Sequence, residues 1–166
     1  MTEPIRYRRA TIDDTLTICE LGQILNAIHH HEHPDIFADA TTAFDRDKPH
    51  WLPSLQEADR ATFLAECGST PVGFITIQVV TLTSPLLQPM VVGRIGSVAV
   101  SEHVRGRGVG GTLMTLAEQW ALKQGATDIR LGVWAFNDRA IDLYRELGYA
   151  IRAFEMGKPL QLSQAD

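Results

Sequence analysis

The stretch from Val98 to Gly111 reads Val-Ala-Val-Ser-Glu-His-Val-Arg-Gly-Arg-Gly-Val-Gly-Gly, and its residue types suit the binding of an anion. An apolar run ends, a short connector follows, and a glycine-rich turn opens an amphipathic stretch. The first turn of a helix carries backbone N–H groups without partners, and its dipole places about +0.5 charge there. Phosphate groups bind at such ends. Glycines at 106, 108, 110 and 111 permit positive φ and a close approach of diphosphate to the main chain. Arg105 and Arg107 add positive charge, each interaction of this kind being worth ~0.3–1 kcal/mol. The main chain from Arg105 to Thr112, with Val109 among it, is therefore a candidate diphosphate cradle.

Two further stretches carry side-chain types found in active sites. Asn137 opens a segment that carries Tyr144. Each also has a purely structural reading. Asn137 suits a helix N-cap, and Tyr144 falls on a helical apolar stripe. His29, His30, His31, Glu32 and His33 form a cluster at the end of the first predicted helix. His29 and His33 have i, i+4 spacing, but no carboxylate or cysteine stands at a typical ligand distance, so no metal is expected. A surface or structural role is the expectation for the cluster.

The elements that must position these residues follow from periodicity and turn chemistry. Ile5–Arg9 reads as a strand, and Thr11 with Asp14 as a helix start, followed by helical spacing to about His30. Residues 34–58, with three prolines, predict loop and short helical pieces. Ala61–Cys67 and Val72–Val80 predict an antiparallel hairpin, and Arg94–Val100 the next strand. Val109, Leu113, Leu116, Ala117 and Trp120 share a helix face that ends at Gly125. A half-buried strand over Ile129–Val133, a helix from Ala140 to Leu147 and a last strand over Tyr149–Met156 complete an α/β order.

Composition narrows the classes. The 166 residues fit one domain, and Cys19 and Cys67 make no disulfide framework. With no apolar leader and no run of ~18–20 apolar residues, a cytoplasmic protein is expected. The net charge of −5 is uneven: residues 1–66 hold 12 acidic and 6 basic side chains, the rest 8 and 9. That acidic balance argues against nucleic acid or membrane partners and suits a cationic amine.

Arg105-Gly106-Arg107-Gly108-Val109-Gly110 resembles the Gln/Arg-x-x-Gly-x-Gly/Ala pattern of the GNAT acyltransferases, which cradles the coenzyme A pyrophosphate. The segment Asn137 to Tyr149 resembles that family's Asn-x-x-Ala-x-x-Leu-Tyr-x-x-x-Gly-Phe/Tyr. The resemblance runs from about Arg94 to Met156. It implies a single GNAT-like α/β (α+β) domain: a mixed, mostly antiparallel sheet of six to seven strands flanked by helices. Residues 1–90 would shape the acceptor site and 91–158 bind acyl-CoA. It implies acetyl-CoA as co-substrate, an N-acetyltransferase activity on a small-molecule or peptide amine, and a homodimer as a frequent state. Val98, Ala99 and Val100 would pair with pantetheine, with an N–H there polarising the thioester. Asn137 would contact the pantetheine or phosphate arm, and Tyr144 would protonate the departing thiolate.

Two readings compete with this one. Gly106, Gly108 and Gly111 also spell G-x-G-x-x-G, the dinucleotide fingerprint. Ser101–Arg105 separate that turn from its strand, however, and the 55 residues after Gly111 are too few for a dinucleotide domain. The other is a non-catalytic acyl-CoA sensor, because Gly96 and Ser97 stand where many GNAT members carry a glutamate base. A base must then come from elsewhere, act through water or be absent. Glu66 is one candidate, and the His29–His33 cluster, with His29, His30 and Glu32 at the rim of the acceptor pocket, is another.

Overall fold

Successive apolar residues along the central strands face opposite layers of helix, and this alternation organises the chain. The computed structural model describes residues 3–161. Strands β2 (Arg60–Cys67) and β3 (Thr70–Leu82) form the expected hairpin, turning at Gly68, whose φ is +61°. Strand β1 (Ile5–Arg9) pairs antiparallel with β2, from Ile5↔Cys67 to Arg9↔Phe63. Strand β4 (Met90–Val100) pairs antiparallel with β3, and β5 (Asp128–Leu131) runs parallel to β4. The sheet order is β1-β2-β3-β4-β5.

Helices α1 (Thr15–Glu32) and α2 (Lys48–Gln56) cover one face, burying Ile18, Cys19, Leu21 and Trp51 against Leu64, Phe74 and Ala99. Helix α3 (Val109–Lys123) covers the other, packing Leu113, Met114 and Ala117 against Ala61, Ala65, Ile75 and Ile77. Helix α4 (Asp138–Glu146) follows β5. The helix start forms as expected: the Thr11 amide donates to the Asp14 carboxylate at 2.8 Å, and α1 continues two residues past His30.

The mixed, mostly antiparallel sheet has five strands among the described residues, not the six to seven expected. The strand expected over Tyr149–Met156 is absent. The Tyr149 amide donates to the Tyr144 carbonyl at 2.9 Å, closing α4. Ile151, Phe154 and Met156 then remain exposed. Their spacing of three and then two residues offers no single face to bury. Arg152 is anchored by its side chain alone, to Asp128 at 2.7 Å. No helix of the described residues is long and apolar enough to cross a membrane.

Candidate active site

Strands β4 and β5 stay paired only from Val92↔Asp128 to Ile95↔Leu131. β5 then ends while β4 continues for five residues, so a wedge opens between them. At that point β4 carries a bulge, with Gly96 and Ser97 together opposing Thr76. A Cβ on residue 96 would lie 2.8 Å from the Thr76 hydroxyl, which accepts a hydrogen bond from the Ser97 amide at 3.0 Å. A glutamate at 96 could enter only by displacing that hydroxyl. The missing carboxylate is thus a feature of packing as well as of sequence.

The bulge also sets which way the backbone points. The Ser97 amide reaches Thr76 and the Ser101 amide reaches the Val72 carbonyl at 2.8 Å, both toward β3. Strand alternation then turns the amides of Val98 and Val100 toward the wedge, where β5 no longer supplies acceptors. Val98 lines the wedge, whereas Ala99 is buried against α1 and α2.

The wedge is a cavity of about 190 Å³. Ile95, Gly96, Ser97 and Val98 form one wall, and Leu131–Trp134 the other. Asn137, Ala140 and Tyr144 of the α4 segment, with Leu25, His29 and Phe37, complete the lining. Asn137 is the N-cap of α4, its side-chain oxygen accepting from the Ala140 amide at 3.2 Å. Its amide NH₂ remains a donor, so the capping and ligand roles are compatible. Tyr144 is half-buried, and burial pushes its phenol above the ordinary tyrosine range. It therefore stays protonated at neutral pH. Tyr149, whose ring lies 5.9 Å from that of Tyr144, instead donates to Glu118 at 2.7 Å; burial and this carboxylate hold its proton more firmly still.

The glycine turn lies beside this wedge, between β4 and α3. Gly106 and Gly108 have φ of +78° and +76°, and a Cβ on either would meet nothing within 4 Å. Backbone conformation, and not crowding, demands glycine there. Gly110 and Gly111 serve differently from the sequence expectation: they are helical, and a Cβ on Gly110 would lie 3.2 Å from Leu143 of α4. Thr112 is the first α3 residue to bond back, its amide donating to the Gly108 carbonyl at 3.0 Å. The amides of Val109, Gly110 and Gly111 thus have no intrahelical acceptor. Arg105 is half-buried near the turn, 4.0 Å from Glu102. Arg107 turns away, donating to the Glu3 carbonyl at 2.6 Å and lying 3.6 Å from the Cys67 sulfur.

The acceptor-side residues divide. His29 lines the cavity. His30 does not; its Nδ1 donates to the Phe37 carbonyl at 2.7 Å and its Nε2 lies 3.8 Å from Asp39. Glu32 is exposed at the end of α1. Glu66 lies on β2, outside the cavity lining, and is bound by Arg8 at 2.8 Å. That arginine also grips Asp14 at 2.8 Å and holds its carboxyl below the ordinary range. Among the described residues no three His, Cys, Asp or Glu side chains converge as a metal site.

The sequence does not single out Phe37 and Trp134, which line the cavity, or Phe136 packed against them. Phe37 lies three residues after Pro34, and Trp134 and Phe136 follow β5; only three-dimensional proximity gathers their rings.

The sequence matches the Acetyltransferase (GNAT) family over residues 25–149. An uncharacterized N-acetyltransferase of Methanocaldococcus jannaschii is 29% identical over 99 residues, covering 60% of this chain and 42% of that relative. The chain thus spans less than half of that relative's length. A mutant protein of Bacillus halodurans superposes with a TM-score of 0.84 at 23% identity, covering 94% of this chain and 99% of its own. AAC(6')-Iy, solved with the bisubstrate analogue CoA-S-monomethyl-acetylneamine, gives 0.74 at 16% identity, covering 96% and 99%. With the family pattern spanning three-quarters of its length, the chain belongs to the GNAT acetyltransferases.

Proposed function

We propose that this protein transfers the acetyl group of acetyl-CoA to a primary amine by direct attack, with Tyr144 as the general acid. The observation that carries the reading is the placement of Tyr144 in the same wedge as the outward amides of β4, beside a positive-φ glycine turn at the start of α3.

The residues fit a diphosphate-bearing thioester. The free amides of Val109, Gly110 and Gly111, with open space over Gly106 and Gly108 and Arg105 nearby, suit the diphosphate. Val98 and Val100 offer backbone groups to the amide-containing arm, and Asn137 a side-chain donor. Bound there, acetyl-CoA supplies an acyl carbon already activated by its thioester.

The chain's own work is positioning and proton handling. An outward Val98 amide stabilises negative charge as it develops on the carbonyl oxygen, a contribution of about 2.7–4 kcal/mol in comparable sites. Tyr144, kept protonated by burial, gives its hydrogen to the leaving sulfur.

The test is release of free thiol from acetyl-CoA with a panel of amines, followed by mass analysis of the product. Amine-dependent thiol release with an N-acetyl product supports the reading. Tight binding of acetyl-CoA without turnover of any amine would establish a sensor instead.

A further inference from the structure

The rings of His29, Phe37 and Trp134 line the wedge, and Phe136 and His33 pack against them. His29 lies 4.8 Å from Phe37 and 5.7 Å from Phe136, centroid to centroid. Phe37 meets Trp134 edge-on at 4.7 Å, and His33 stands 5.5 Å from Phe136. Trp134, one of the lining residues, is 42% exposed. No Asp or Glu lines the cavity.

Three carboxylates of the first 66 residues are already paired: Asp14 and Glu66 with Arg8, and Asp47 with Arg46 at 2.6 Å. A polycation needs several fixed anions to offset its desolvation, and this pocket provides none. Ring faces instead suit a flat or apolar body and attract a single ammonium. The cation–π contact found among the described residues, Arg9 over Trp120, lies on another part of the fold.

His29 has a settled tautomer. Its Nδ1 lies 2.7 Å from the Leu25 carbonyl, which can only accept, so Nδ1 carries the hydrogen and Nε2 the lone pair. A cavity-lining imidazole with a free Nε2 is equipped to take a proton.

We infer that the acceptor is a primary amine on one aromatic or apolar body, seated against Phe37 and Trp134, and that His29 receives its proton. The inference rests on the acetyl-transfer reading and narrows its substrate. The bound ammonium gives one proton to Nε2, which passes it to solvent. The freed lone pair forms the N–C bond while the C–S pair leaves on sulfur. Tyr144 protonates that sulfur, and the nitrogen's second departing proton replaces the one Tyr144 gave.

The experiment compares 2-phenylethylamine and tyramine with spermidine and neamine in the thiol-release assay, using the whole chain. The expected result is a kcat/KM at least about tenfold higher for the two arylalkylamines. Trp134→Ala, at an exposed position, should raise KM for 2-phenylethylamine about tenfold with kcat little changed. Trp134→Phe should restore most of it. His29→Gln should lower kcat about 100-fold while acetyl-CoA affinity by calorimetry and the melting temperature stay put.

Efficient turnover of spermidine or neamine with arylalkylamines inert would leave acetyl transfer standing and overturn this substrate class. A kcat unaffected by His29→Gln would remove the proton role. No thiol release with any amine would instead bring down the acetyl-transfer reading, and this inference with it.

Discussion

Two neighbouring regions of the site are made of different material. One is main chain, where we propose that the acyl donor binds: the amides of Val98 and Val100, and the positive-φ turn at Gly106 and Gly108 opening α3. The other, the proposed acceptor end, is side chain: the rings of His29, Phe37 and Trp134, with Phe136 packed against them, contributed by segments about a hundred residues apart. A backbone site needs particular dihedrals, which only a few residue types supply, so its sequence is constrained locally. A ring-walled site needs only bulk and flatness at points brought together by the fold. On the proposed reading, one region is therefore fixed in its chemistry, and the other is free to define the substrate.

The sharpest way to break this contrast is at Gly108. Valine there must adopt φ near +76°, a conformation that β-branched residues rarely enter, although no neighbour crowds the side chain. Gly108→Val should abolish measurable acetyl-CoA binding by calorimetry, a loss of at least about 100-fold, with the protein still folded by circular dichroism. Retained affinity would show that the turn is not the diphosphate cradle. Tyr144→Phe comes next. It should lower kcat about 100-fold, since a positioned proton donor is worth roughly 10²–10⁴. Acetyl-CoA affinity should change less than about twofold, and an equal fall in both would mark Tyr144 as a packing residue.

The difference in material explains what could be read in advance. The glycine turn and Asn137–Tyr149 were legible because spacing alone defines them. Even so, spacing treated all four glycines alike, whereas Gly110 and Gly111 serve the approach of α4. It could not show that Arg107 would be drawn to the Glu3 carbonyl, a contact across 104 positions. The hairpin, α3 and α4 were legible from period and caps. The wedge was not, because it depends on where pairing stops between β4 and β5, a matter of register. Glu66 looked available as a base only until Arg8, on the neighbouring strand, was seen to hold it.

A smaller effect tests the frame behind the acceptor end. Arg8 depresses the Asp14 carboxyl in the folded protein, and the Thr11 amide reinforces it. The ionised form is thus favoured by folding. Its contribution is complete above the ordinary Asp value of ~3.9 and is lost as pH falls through the lower folded value. Asp14→Asn should cost about 2 kcal/mol at pH 7, lowering Tm by roughly 4–8 °C. The gap to wild type should narrow as pH falls below the ordinary Asp value and through the lower folded one, while acetyl-CoA affinity at pH 7 is unmoved. A gap independent of pH would mean that Asp14 acts through shape alone.

The smallest expected effect separates two tyrosines whose rings lie 5.9 Å apart. Tyr149 is committed: its hydroxyl donates to Glu118 of α3 at 2.7 Å, tying the end of α4 to the helix that begins at the glycine turn. Tyr144 faces the wedge and owes its raised pKa to burial alone. Tyr149→Phe removes one half-buried hydrogen bond and should cost about 1 kcal/mol, read as a fall in Tm of roughly 2–4 °C. Its kcat should stay within about twofold of wild type. If Tyr149→Phe lost turnover as Tyr144→Phe is expected to, the proton donor would have to be reassigned. An unchanged kcat beside a lowered Tm would show one aromatic pair divided between holding the fold and serving the reaction, with the hydrogen-bond partner deciding which does which.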